Sequence, residues 1–225
     1  MKDENLTIIR ISNSSWFKIR FHGLIIHFDP GFVGDFSSPN IAISELKEPA
    51  DYIFVSHCHF DHFRDDVVND IIKDSTMIVA PICLSEITKL TYQSVKPGDQ
   101  ISIQNICLRA VDAYNTEEGR SSKKFHVKGQ FVGYLLKLGK TVLYFAGDTD
   151  YIPEMHDFGP IDIALLPIGG TYVMDPLEAI EAIKALKPKY VIGMHQSQNN
   201  LDGFKELCKE NTSSTPIVLK VGDQF

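Results

Sequence analysis

The sequence is poor in the features of secreted, membrane-bound or nucleic-acid-binding proteins. Only 4 cysteines occur in 225 residues, and no two of them form a C-x-x-C pair. Cys58, Cys83, Cys107 and Cys208 are scattered, which argues against a disulfide framework or a cysteine zinc knot and fits free thiols in a reducing compartment. No apolar run approaches the ~18 residues that span a bilayer. The opening MKDENLTIIRIS has neither the basic start nor the apolar stretch of a secretory leader, so a cytoplasmic location is expected. Positive charge is scarce as well: 22 Lys and Arg stand against 29 Asp and Glu, a formal net charge of −7. Such a surface repels polyanions, so nucleic acid is set aside as a partner. No amphipathic membrane-binding helix is evident, which leaves a small-molecule substrate as the expected partner. Linkers, short-period repeats and low-complexity tracts are missing, so one domain is expected over residues 1–225, with similar halves at about 1–115 and 125–225.

What is present is strand and helix periodicity in a mixed order. Phe17, Ile19 and Phe21 alternate with Lys18, Arg20 and His22, and Leu24 to Phe28 follows across Gly23, which predicts a β-meander. Tyr52 to Ser56 reads as a strand that runs into a histidine-rich loop, and Asp65 to Lys73 carries Val67, Val68, Ile71 and Ile72 at helical spacing. Met77 to Ala80 is a further strand, Pro81 suits the first turn of a helix, and Ile101 to Val111 alternates again. Residues 115–130 are polar and rich in turn formers, which predicts a surface loop over a functional region. Strands follow at Phe131 to Leu138 and Thr141 to Ala146 around a Gly139-Lys140 hairpin, then at Ile161 to Pro167. Asp175-Pro176-Leu177-Glu178 is a helix start, and Leu177, Ile180, Ile183 and Leu186 form the expected apolar stripe. A strand at Tyr190 to Met194, a helix at about Asp202 to Glu210 and a strand at Ile217 to Val221 complete the series. Strand runs followed by β/α alternation, twice over, predict an α/β chain; two mixed sheets in a four-layer αββα sandwich is the arrangement they suggest.

The chemistry concentrates in Ser56-His57-Cys58-His59-Phe60-Asp61-His62. In extended chain His57 and His59 project to one side while Cys58 and Phe60 project to the other, and a turn after Phe60 brings Asp61 and His62 round. Imidazole and carboxylate suit zinc, whereas a loop that merely happens to hold these residues is the poorer explanation. Cys58 falls on the core side by parity. Two more strand ends carry ligand types, Gly147-Asp148-Thr149-Asp150 and Met194-His195-Gln196. Gly-Asp alone is usually a turn and a lone histidine usually structural, so each gains weight only beside the histidine cluster.

His-x-His-x-Asp-His, then Gly-Asp-Thr, then a strand ending in Met-His resembles the metallo-β-lactamase-fold hydrolases over nearly the whole chain. His27-Phe28-Asp29-Pro30-Gly31 is similar to that family's early strand end. Phe158 to Gly170 is similar to the subgroup containing ascorbate-6-phosphate lactonase and N-acyl-phosphatidylethanolamine phospholipase D. The resemblance implies the four-layer fold and two divalent cations, zinc first, with manganese or iron admitted. His57 and His59 would hold one cation, Asp61, His62 and His195 the other, with Asp148 bridging and Asp29 orienting the site from behind the ligands. Where the family has a further histidine this chain reads Asp112-Ala113-Tyr114-Asn115. His126 is then the expected substitute ligand, with Asn115 as a weak oxygen ligand or a substrate contact. Thr171 and Tyr172 are candidate substrate contacts at the pocket mouth.

The implied activity is metal-dependent hydrolysis of an ester, lactone or phosphodiester, by a metal-bound hydroxide that Asp61 orients and relieves of its proton. The alternative is a mononuclear iron redox or non-catalytic metal protein on the same fold. His22, His27 and His156 are read as structural or surface residues.

Overall fold

Alternating apolar residues set the first strands. In the computed structural model, which describes residues 5–31, 41–103, 106–196 and 201–225, β1 (Leu6–Arg10), β2 (Phe17–Phe21) and β3 (Leu24–Phe28) form the expected antiparallel meander. Ile8, Ile19 and Ile26 stand in register across it and are fully buried. His22 and Gly23 turn the β2–β3 corner with φ of 47° and 82°, the left-handed pair whose twist matches a tight hairpin.

β4 (Tyr52–Phe54), β5 (Met77–Pro81) and β6 (Gln93–Val95) then add in parallel beside β3. The connections include α1 (Ile43–Leu46) and α2 (Asp65–Ile71). Val67, Val68 and Ile71 of α2 share one apolar cluster with Ile53, Val55, Ile78 and Ala80 of the sheet strands and their ends. The helix ends before the predicted Lys73 because Ile72 is already extended. Pro81 ends β5 and caps a 3-10 turn at Ile82–Glu86 instead of opening an α-helix, since its own backbone is extended.

Lys18 departs from simple alternation. It is fully buried, and its ammonium donates to the Glu45 carbonyl at 2.8 Å, to Glu48 at 2.7 Å and to the Glu45 carboxylate. Arg20 shares both acids, so the buried charge is paired. With the segment 219–225, which bonds β1 through Ile8 and Phe225, these elements make up the first of two compact units, Glu4–Val95 with Leu219–Phe225.

The second unit is built chiefly from Lys96–Val218. The predicted alternation at 101–111 is two antiparallel strands, β7 (Gln100–Ile103) and β8 (Ile106–Asp112), whose junction falls outside the described residues. β9 (Val132–Leu138) and β10 (Thr141–Phe145) form the expected Gly139-Lys140 hairpin. β11 (Ile163–Pro167), β12 (Tyr190–Met194) and β13 (Thr215–Ile217) continue in parallel from β10. The last strand lies earlier than the predicted Ile217 to Val221. Its Pro216 is tolerated because β13 is an edge strand.

α3 (Pro176–Leu186) and α4 (Leu201–Asn211) belong to this unit. Asp175 caps α3 by accepting the Glu178 N–H at 2.8 Å, and Lys187, at φ 50°, ends it ahead of Pro188. Leu177 leaves the predicted stripe and is 51% exposed. The buried face holds Glu178 instead, whose carboxylate accepts the Arg120 and Tyr151 N–H groups, and the helix buries Ala179, Ile180, Ala182, Ile183 and Leu186.

Both sheets are mixed, and each runs from an antiparallel meander into parallel strands. Parallel neighbours bring their carboxyl ends to one side, the usual place for chemistry in such sheets. Asp29 follows β3 and Ser56 lies just beyond β4 in the first sheet. Asn115, Asp148, Gly169 and His195 follow β8, β10, β11 and β12 in the second.

Candidate metal-ligating clusters

In the first unit the histidine-rich loop is organised by Asp29. This residue is fully buried and sits at φ 44°, uncommon for a residue other than glycine and typical of functional strand ends. Its carboxylate accepts the Ser56 N–H at 2.6 Å, the Ser56 hydroxyl at 2.6 Å and the His62 Nδ1–H at 2.6 Å. Burial pushes the Asp29 carboxyl up from the ordinary range, and the His62 and Ser56 donors pull against that rise.

A carboxylate only accepts, so His62 carries its proton on Nδ1 and presents Nε2 as a base. That Nε2 stands 3.4 Å from the Asp61 carboxylate. The Ser56 hydroxyl, having given its proton to Asp29, accepts from His57 Nδ1 at 2.9 Å, which leaves His57 Nε2 as a base too. His59 lies edge-on to His57 with ring centroids 4.5 Å apart. The His59 carbonyl takes the N–H groups of His62 and Phe63, forming the turn after Phe60.

Close packing makes Gly31 obligatory here. A Cβ at that position would lie 2.4 Å from the backbone of Asp61 and His62. Ser14 donates to Asp61 at 3.2 Å. Cys58 is half-buried, short of the burial its parity implied, and its thiol meets that of Cys83.

In the second unit Asp148, 3% exposed, has its Oδ2 3.4 Å from His126 Nε2 and 3.2 Å from His195 Nε2. His195 leaves β12 at φ 49°. A Cβ at Gly169 would come within 2.4 Å of its carbonyl, which explains the glycine after β11. His126 lies in the irregular segment 115–130 yet is buried. Its Nδ1 faces two acceptors, Asn115 Oδ1 at 3.0 Å and the Tyr172 carbonyl at 3.2 Å.

Asn115, expected to face metal or substrate, is engaged inside this segment. Its Oδ1 accepts the N–H groups of Phe125 and His126, and its Nδ2 donates to the Tyr172 carbonyl, Ser121 and Asp150. Thr171 offers its carbonyl to the Lys123 N–H at 2.7 Å. The Tyr172 ring stacks on Phe125 at 5.5 Å and lies 5.3 Å from the Lys123 ammonium.

Two supports escaped the sequence reading. Ser14 carries no signal in its neighbourhood. Asp150 had one, the second acid of Gly-Asp-Thr-Asp: it is fully buried and takes the Thr116 N–H and the Lys124 ammonium. Outside these clusters, His27 and His156 each bond a neighbouring aromatic side chain. Trp16 Nε1 donates to His27 Nδ1 at 2.9 Å, and burial lowers His27 to about 3. His156 accepts from or donates to the Tyr151 hydroxyl at 2.7 Å.

The donors fit a divalent cation such as zinc. For His62 and His126 a basic Nε2 faces a carboxylate oxygen at 3.4 Å, lone pair against lone pair. Two ligands of a tetrahedral site with ~2.1 Å bonds stand roughly 3.4 Å apart, so a cation relieves that opposition at the spacing found.

Strand-end histidines and acids of this kind define a class of metal-dependent hydrolases, and the family comparison agrees: residues 8–195 match the beta-lactamase superfamily domain, and the chain belongs to that family. Among its relatives is a UPF0173 metal-dependent hydrolase of Thermococcus kodakarensis, 34% identical over 216 residues, which cover 89% of this chain and 91% of that one. Another, from Thermoplasma acidophilum, is 35% identical over 228 residues, with 96% of each covered. A crystal structure from Parabacteroides distasonis superposes with a TM-score of 0.83 at 29% identity, covering 96% of this chain and 94% of that one. Igni18, a metallo hydrolase of Ignicoccus hospitalis, shares the fold with a TM-score of 0.80 at 21% identity, over 98% and 97% of the two chains. The chain therefore has the metallo-β-lactamase fold and is a metal-dependent hydrolase.

Proposed function

We propose that the chain cleaves an ester, lactone or phosphodiester of a small soluble substrate, with two divalent cations, zinc foremost, as cofactors. The proposed ligands are His57, His59, Asp61 and His62 from one unit and His126, Asp148 and His195 from the other. The observation that carries the reading is the fixed orientation of the imidazoles: His57, His62 and His126 each have Nδ1 tied to an oxygen acceptor, which reserves Nε2 for a cation. Support for assigning both sets to one chemistry comes from the family match, since residues 8–195 contain them all.

Bound cations would supply the Lewis acidity that makes water a competent nucleophile at neutral pH. Asp61, held by Ser14 at 3.2 Å, orients that water and takes its proton. Asp29 keeps His62 and, through Ser56, His57 in the ligating tautomer. Thr171 and the Tyr172 ring, the latter 36% exposed, serve as substrate contacts. No helix among the described residues is long and apolar enough to cross a membrane. Scattered free thiols and a net charge of −7 support a cytoplasmic enzyme that uses neither nucleic acid nor membrane.

Elemental analysis of the purified protein, together with turnover of aryl-ester, lactone and phosphodiester probes, tests the proposal. Two zinc per chain and cleavage of one probe class are expected, with turnover lost in His59→Ala and Asp148→Ala while the circular dichroism spectrum is kept. A single redox-active iron, or undiminished turnover in either variant, would overturn it.

A further inference from the structure

We propose that Asn115 is the positioning residue of His126: it fixes the imidazole in the Nδ1–H form and folds the segment that carries it. The inference rests on the reading of His126 as a metal ligand only for its effect on metal. The positioning itself stands on hydrogen-bond geometry. Two backbone N–H groups, from Phe125 at 3.0 Å and His126 at 2.9 Å, converge on one atom of the Asn115 amide, and a backbone N–H can only meet an acceptor. That atom is therefore the oxygen. The same oxygen lies 3.0 Å from His126 Nδ1, and the Tyr172 carbonyl lies 3.2 Å from that nitrogen. Between two acceptors Nδ1 must be the protonated nitrogen, so Nε2, on the Asp148 side, stays basic.

The nitrogen of the same amide closes the arrangement. It donates to the Tyr172 carbonyl at 2.9 Å and to Asp150 Oδ1 at 3.2 Å. An aspartate would keep the acceptor for His126 but set a carboxylate against Asp150 and the Tyr172 carbonyl. Alanine would keep neither function. Asparagine is the side chain that serves both the acceptor and the donor demands at this length. Lys124 and the Thr116 N–H meet Asp150, and Lys123 N–H meets the Thr171 carbonyl, so the segment around Asn115 is already tethered and the amide decides the ring's orientation within it.

The test uses the full chain freed of metal by a chelator. Imidazole nitrogen chemical shifts from 15N-labelled protein are expected to show His126 protonated at Nδ1 in the native chain. Asn115→Ala is expected to populate the Nε2–H form, to speed amide exchange at Phe125 and His126, and to weaken zinc binding roughly 10–100-fold against a chromophoric chelator. Asn115→Asp, which retains the acceptor, is expected to keep the Nδ1–H form. An Nε2–H ring in the native chain, or a tautomer unchanged in Asn115→Ala, would overturn the proposal; should that variant not fold, the native ring and Asn115→Asp decide. His126→Ala separates the two readings. If it binds zinc as tightly as the native chain while Asn115→Ala still shifts the tautomer, Asn115 is confirmed as the positioning residue and the ligand assignment falls.

Discussion

His62 and His126 are held by the same device built from different chemistry. In the first unit the acceptor behind the ring is the Asp29 carboxylate, buried at a left-handed strand end and bonded to three donors at 2.6 Å. In the second it is the neutral Asn115 amide, backed by the Tyr172 carbonyl, in a segment without strand or helix. Both settle the tautomer. Only the carboxylate also lends negative charge, which raises the basicity of the ring it holds. The difference teaches that orientation and charge are separable: the first unit supplies both from its strand end, the second supplies orientation alone from a loop.

The largest effect is expected where the charged support is removed. Asp29→Ala leaves the Ser56 N–H, the Ser56 hydroxyl and His62 Nδ1 without their buried acceptor, and should cost on the order of 3–5 kcal/mol in urea unfolding of the metal-free chain. Asp29→Asn makes the first unit imitate the second. With one acceptor oxygen kept and the charge gone, zinc should bind roughly 10-fold more weakly, measured by chelator competition, with a smaller loss of stability than Asp29→Ala.

His27 supplies a histidine of the opposite kind, accepting at Nδ1 from Trp16 and lowered to about 3 by burial. Below the ordinary histidine pKa the unfolded chain binds a proton that the folded chain refuses, so stability falls with pH from about 6.5 toward 3, at about 1.4 kcal/mol per pH unit for this group. His27→Gln should flatten that portion of a melting-versus-pH curve. An unchanged slope would show that the ring titrates normally. The smallest effect is expected for Tyr172→Phe, since Tyr172 meets His126 through its backbone; zinc affinity should stay within about twofold, and stability within about 0.5 kcal/mol.

Much of the fold was legible because it is written in local periods. The meander from Phe17 to Phe28, the capped start of the helix at Asp175 and the strand from Tyr190 to Met194 follow from neighbours in sequence. The misreadings arose where distant groups override the period. Lys18 is buried because Glu45 and Glu48 arrive to pair it, and Leu177 is exposed because Glu178 turns inward to two N–H groups. The ligand types at strand ends could be read for the same reason as the strands. Their supports could not: Ser14 reaches Asp61 across 47 positions and Asn115 reaches Asp150 across 35, separations that leave no pattern along the chain.

The segment from Ser122 to Val127 is fastened at Ser122 and Lys123 by backbone N–H groups bonded to the carbonyls of Gly170 and Thr171. Val127 has 53% of its surface in solvent, whereas Phe125, 56% exposed, stacks on the Tyr172 ring. Selection can therefore exchange what position 127 displays without loosening the backbone stitches of the segment that carries His126.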